Sequence, residues 1–214
     1  MKIITNAKKL YIWSFFLAII ALAVSTYLIY IHFTPLETGS FCDINAYWNC
    51  DRINQSIFAG FLGIPIAVLG FLFYFFLSFN LLGIIKNFNY RLYYPLDSNW
   101  LLLLMTLFGL TELGIITYLE FSIYQFSSVY QIILILINIL FGLLFLWLWF
   151  KSKHYSESEK FLTYLISLSL FGFVFAFYLT GIELFVLEGI CVFCLIQQIL
   201  ILLILILMVT SALG

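Results

Sequence analysis

From Leu10 to His32 the chain carries no Asp, Glu, Lys or Arg. Such a run is long enough to cross a ~30 Å hydrocarbon core as a helix, at about 1.5 Å of rise per residue. Five further apolar stretches follow: Phe61–Ile85, Trp100–Tyr124, Val129–Phe150, Phe161–Leu187 and Cys191–Leu213. In lipid every backbone N–H and C=O must be paired within its own segment or in a closed barrel. Barrel strands need only about 10 residues, so these longer runs predict helices. The chain is 65% hydrophobic and 9% charged, where a soluble domain carries roughly a quarter charged residues. The expected fold is therefore an all-α polytopic membrane protein with six spans, forming one integral membrane domain over residues 1–214. The first run is too long for the ~7–15-residue apolar region of a signal peptide, and no small-residue cleavage site follows it. It is expected to stay as a helix.

Basic residues set the expected orientation. Lys2, Lys8 and Lys9 precede the first span, Lys86 and Arg91 follow the second, and Lys151, Lys153 and Lys160 follow the fourth. With six spans these all fall on one face, and Arg52 alone lies opposite. Lys and Arg mark the cytoplasmic side, so both termini are expected there. The loop 33–60 and the start of the sixth span then face outward. A net charge of −1 gives no reason to expect nucleic acid as a partner; membrane lipid is the expected surroundings.

The four cysteines fall in two pairs, both on the outward face. Cys42 and Cys50 bracket a polar stretch of the loop, and Cys191-Val-Phe-Cys194 opens the last span. Disulfides persist in an oxidising extracytoplasmic compartment. Cysteine is also a small hydrophobe that could have been scattered through so apolar a chain; its restriction to one face favours redox or metal chemistry over packing. Residues i and i+3 are neighbours on a helix, so the C-x-x-C sulfurs can meet. The unpaired N–H groups and positive dipole end at a helix start favour an anionic sulfur, the attacking species in thiol–disulfide exchange. Two pairs on one face can act as a relay. A loop-closing disulfide of a few kcal/mol and a zinc site of four thiolates are the competing readings. The wide Cys42–Cys50 spacing does not suit zinc knuckles, and no metal is expected.

Around these cysteines stand further motifs: Cys50-Asp51-Arg52-Ile53-Asn54-Gln55-Ser56, then Phe58-Ala59-Gly60-Phe61-Leu62-Gly63-Ile64-Pro65 running on to Leu69-Gly70, and Glu188-Gly189-Ile190-Cys191-Val192-Phe193-Cys194. With this order of loop pair, Ser, Gly-Ile-Pro and late C-x-x-C the chain resembles the vitamin K epoxide reductase family, specifically its bacterial thiol-oxidising members. The resemblance implies a four-helix bundle around a quinone, ubiquinone or menaquinone, in the bacterial inner membrane with the cysteines periplasmic. It implies that Cys42 exchanges with a separate thioredoxin-like (DsbA-like) thiol oxidase, Cys50 attacks Cys191, and Cys194 reduces the quinone. Ser56 would line the quinone site. Gln198 stands where some animal members have a tyrosine, and it could donate to a quinone carbonyl. No fused thioredoxin-like domain is expected. The family core, 10–85 and 161–213, needs four helices, so the hairpin 100–150 reads as an addition. A shift of 63 residues lays Ser128-Val-Tyr-Gln131 on Cys191-Val-Phe-Cys194, as an internal copy without the cysteines would.

Other polar residues invite bland readings. Glu112 in the third span reads as structural, Glu183 and Glu188 as solvated at the outer boundary, and His32 and His154 as solvated span ends. A DsbB-type oxidase would carry its pairs in the reverse order. The alternative from another class is a non-enzymatic membrane scaffold or transporter with two structural disulfides.

Overall fold

A computed structural model describes residues 5–34, 40–61, 63–86 and 157–213, together with isolated helical positions from Leu136 to Phe150. The expected third and fourth spans, and with them the count of six, lie outside the fully described residues. So do Glu112, His154 and the segment 128–131. The elements are α1 (Thr5–Phe33), α2 (Cys50–Asn54), a 3-10 turn (Ile57–Ala59), β1 (Gly60–Phe61), β2 (Ile64–Pro65), α3 (Ile66–Ile85), α4 (Glu157–Phe185) and α5 (Val192–Leu213). Four helices are long and apolar enough to cross a membrane, over Ala7–Phe33, Ile66–Ile85, Lys160–Phe185 and Val192–Ala212. The protein is an integral membrane protein built mainly of helices.

Of the helix ends that differ from the sequence expectation, two have a clear local cause. The second span begins at Ile66 rather than Phe61, because Gly60–Phe61 and Ile64–Pro65 pair as a two-residue antiparallel hairpin. Gly63 turns it with φ of 80°, a conformation open to a residue without Cβ. Pro65 lacks an N–H and drives Ile64 out of the helical region, so the helix cannot start earlier. The fifth span ends at Phe185 rather than Leu187. There Leu187 N–H donates to Ile182 O and Gly189 N–H to Glu183 O, and Glu188 takes the left-handed conformation, φ 48°, that stops the helix.

The chain divides into two compact units, 1–90 with 169–214, and 91–168. In the first, α1 packs on both α3 and α5. Lipid tails are as apolar as Leu, so contact between such helices depends on close approach and polar bonds. Helix α1 has both. Ser14, Ala18, Ala21 and Ser25 fall on one helical face and are fully buried, letting neighbouring backbones come near. Gln197 of α5 donates through Nε2 to Ser25 Oγ at 2.6 Å, and Tyr74 of α3 donates to Gln197 O at 3.2 Å. Helix α4 meets α5 through Ser169, which donates to Met208 Sδ at 3.5 Å, and through Thr180, which donates to Gln198 Oε1 at 2.7 Å.

Candidate redox site

The loop after α1 is shaped by its own polar side chains. Asn45 Oδ1 accepts from the N–H groups of Tyr47 and Trp48, both at 2.9 Å, and Ile44 N–H donates to Trp48 O at 2.9 Å. This turn extends Tyr47–Asn49. Asn49 then caps α2, its Oδ1 accepting from Arg52 N–H at 2.7 Å, as N-cap asparagines do. The extended piece pairs with the α4–α5 turn in a parallel bridge between Trp48 and Ile190. Ile190 N–H donates to Tyr47 O at 2.7 Å and Asn49 N–H to Ile190 O at 3.1 Å. Arg52 fastens the same junction, donating to Leu187 O and, at 3.3 Å, to Ala46 O. Gly189 makes this approach feasible: a Cβ there would lie 3.0 Å from Arg52 Nη2 and 3.1 Å from Tyr47 O.

This pairing brings the two cysteine motifs to one end of the helices. Cys50 follows Asn49, and Cys191 follows Ile190. Cys42 and Cys50 are joined in a disulfide with Cα atoms 5.8 Å apart; Cys191 and Cys194 are thiols. Cys42, Cys50 and Cys191 share one buried cluster with Leu28, Ile31, Ile53 and Ala67, and Cys194 packs against it. Cys191 has no exposed surface, while Cys194 is half-buried. The sequence puts Cys191 nearer water, as the first residue of the span. The loop reverses that order by lying over it.

The first turn of α5 turns its amides on this pair. Cys194 N–H donates to Cys191 Sγ at 3.2 Å. Cys191 N–H donates to Glu183 Oε2 at 3.0 Å. Glu183 is buried, only 4% exposed, and so is not the solvated boundary acid that its position suggests. An acid within an apolar span is the signal that could have found it. Beside the pair, Tyr27 of α1, Phe41 of the loop and Phe193 of α5 form a three-ring cluster, with centroids 5.0 to 5.2 Å apart.

Ser56 and Gln198 lie outside the cysteine cluster. Ser56 is half-buried and its hydroxyl donates to Ile53 O at 2.8 Å. Gln198, one turn beyond Cys194, takes the hydroxyl of Thr180, which also lies 3.1 Å from Ala176 O. His32 is not a solvated span end: its Nδ1 lies 2.6 Å from Asn54 O, and Asn54 Nδ2 donates to Leu28 O at 2.8 Å. These bonds lash α2 to the end of α1. Within the loop, Asp51 Oδ2 accepts from Ser40 N–H at 2.9 Å, but its buried Oδ1 has no partner. Burial foremost, and the neighbouring Asp43 carboxyl, hold the Asp51 carboxyl above the ordinary carboxylate range, against the opposing bonds from Ser40.

The arrangement of two cysteine pairs in one apolar cluster can exchange disulfides internally. Comparison with curated proteins and with solved structures returned no match. A family-level comparison matches residues 12–146. That stretch contains most of α1, the Cys42–Cys50 loop and α3, runs on through most of the residues read above as an added hairpin, and stops short of Cys191. It covers more than half of the chain, and the chain belongs to the vitamin K epoxide reductase family, a family of membrane oxidoreductases.

Proposed function

We propose that the protein is a membrane thiol–disulfide oxidoreductase that oxidises an extracytoplasmic, thioredoxin-like partner and passes the electrons to a membrane quinone, so supporting disulfide formation. The observation that carries this reading is the Trp48–Ile190 pairing, with Cys50 and Cys191 in one buried cluster. A scaffold needs no such convergence; a relay does. The partner's two thiols are oxidised as the Cys42–Cys50 disulfide accepts their electron pair. The Cys50 thiolate then attacks Cys191 of an oxidised Cys191–Cys194 pair and releases Cys194. Attack of Cys42 on Cys50 restores the loop disulfide and frees Cys191. Both loop cysteines are buried, Cys42 at 3% and Cys50 at 0% exposed; Cys42 suits the partner-facing role because the adjoining Phe41 and nearby Ile44 are exposed.

A quinone, ubiquinone or menaquinone, would supply a two-electron, two-proton acceptor when bound. The residues near Cys194 suit an apolar ring: the cluster of Tyr27, Phe41 and Phe193 offers aromatic faces. Gln198, a turn further along α5, offers an amide to a carbonyl; Ser56 would line the site and could donate to a carbonyl only by giving up its bond to Ile53 O. The resemblance to bacterial members of the family favours the inner membrane, and the basic residues put the cysteines on its periplasmic side. Residues 128–131 lie within the family match and align with Cys191–Cys194 at a shift of 63. A duplicated helix pair, of which the family match spans the cysteine-free copy, accounts for both facts.

The test is anaerobic addition of quinone to the reduced, purified protein. Quinol should form with loss of the Cys191 and Cys194 thiols. No quinol from protein with all four cysteines reduced would overturn the reading.

A further inference from the structure

Glu183 is the one acidic side chain buried among the described residues of the first unit, and it faces the C-x-x-C. It sits in the last turns of α4, where its carboxylate could have turned to water. Instead it reaches across to α5. One oxygen accepts the Cys191 main-chain N–H at 3.0 Å, and the carboxyl also meets the Cys194 thiol. Cys194 itself lies against Cys191, its N–H on the Cys191 sulfur. The buried carboxylate and the half-buried thiol are therefore neighbours at the start of α5.

We propose that Glu183 is the proton acceptor for the Cys194 thiol when the C-x-x-C dithiol is oxidised. The inference rests on the thiol-oxidising role proposed above and adds a residue to it. The balance is as follows. Two S–H bonds break, one S–S bond forms between Cys191 and Cys194, and two electrons and two protons leave. Both electrons go to the oxidant. One thiol proton passes to a Glu183 oxygen and stays there, the other goes to the oxidant, and the oxidant draws its second proton from solvent. Two features of the pocket give the carboxylate this task. A thiolate is the reacting sulfur species, so the thiol proton must go somewhere before or during electron transfer. Of the groups beside this thiol, the Cys191 sulfur is itself consumed in forming the disulfide, which leaves the Glu183 carboxylate to take the proton. Once the disulfide forms, Glu183 loses the thiol as a donor, and a buried charge without that partner is costly. The carboxyl then holds its proton until the pocket is reduced again.

The experiment uses the whole protein with its Cys42–Cys50 disulfide intact, and a small soluble disulfide as oxidant in place of quinone. Oxidised-minus-reduced infrared difference spectra report the carboxyl C=O stretch. We expect a protonated-carboxyl band to appear on oxidation of the wild type, to be absent in Glu183→Gln and to be shifted in Glu183→Asp. Gln keeps an oxygen for the Cys191 N–H, so a merely structural cap would survive that change. The rate of dithiol oxidation should fall by about 10²-fold or more in Glu183→Gln, as for loss of a general base. If Glu183→Gln does not fold, the shifted band in Glu183→Asp carries the assignment. No carboxyl band in the wild type, or an unchanged band in Glu183→Gln or Glu183→Asp, would overturn the proposal. Because no quinone is present, a failure to reduce quinone would be seen separately and would count against the larger reading alone.

Discussion

Replacing Gly189 with Ala should loosen the cysteine loop without touching a cysteine. The added Cβ would lie 3.0 Å from Arg52 Nη2 and 3.1 Å from Tyr47 O. Arg52 can retreat, being the far end of a flexible side chain. Tyr47 O cannot, because it accepts from Ile190 N–H in the bridge, whose other bond runs from Asn49 N–H to Ile190 O. Relieving the contact by a few tenths of an ångström weakens both bonds. A backbone hydrogen bond contributes roughly 0.5–1.5 kcal/mol net, so loss of the two costs about 1–3 kcal/mol of local docking. That corresponds to roughly a 5- to 150-fold change in the docking equilibrium. Native-state hydrogen exchange reads this directly: the Ile190 and Asn49 amides should lose protection by that factor in Gly189→Ala. Amides in the middle of α1 should not change. Unaltered protection at Ile190 and Asn49 would refute the claim that the Trp48–Ile190 pairing is what seats the loop.

Three other outcomes follow from the same geometry. With Cys42 and Cys194 both replaced by Ala, oxidation should trap a Cys50–Cys191 disulfide, visible by mass spectrometry. Its absence there, with Cys50–Cys194 formed in the Cys42→Ala/Cys191→Ala counterpart, would exchange the roles of the C-x-x-C cysteines. The raised Asp51 carboxyl should make the loop less stable as pH increases, because the folded form holds its proton more tightly than the unfolded chain does. That contribution is complete below the unfolded value of about 3.9 and is lost as pH rises through the folded one; Asp51→Asn should remove this slope in thermal melts of the protein followed at the loop, and an unchanged slope would exonerate Asp51. Finally, single cysteines introduced at Ser98 or Ser156 into a background with the native four replaced should resist a membrane-impermeant reagent added outside, and labelling there would invert the topology drawn from the basic residues.

The membrane helices were legible because their signal is local: a long apolar run without charge leaves little choice but a helix in lipid. The pairing of motifs was legible from the one-sided distribution of Cys42, Cys50, Cys191 and Cys194. What escaped depends on contacts between residues far apart in the chain. Pro65 and Gly63 do announce a break, but the apolar character of Phe61–Pro65 reads as more helix until the hairpin is seen. Glu183 and His32 sit where a span meets water, and only the covering loop turns them inward. Cys191 is buried for the same reason. Arg52, which the charge count treats as a lone exception, earns its place through carbonyls at Ala46 and Leu187, and no sequence window contains both it and Leu187.

The bridge between Trp48 and Ile190 also has a kinetic consequence. With the loop seated beside the α4–α5 turn, the exchange proposed between Cys50 and Cys191 would be a first-order event within one molecule. Intramolecular reactions of well-oriented groups proceed as though at an effective molarity far above any reachable in solution. Encounter with the proposed soluble thiol partner, in contrast, would be second-order. Diluting that partner should therefore slow the first handover and leave the internal one at the same rate.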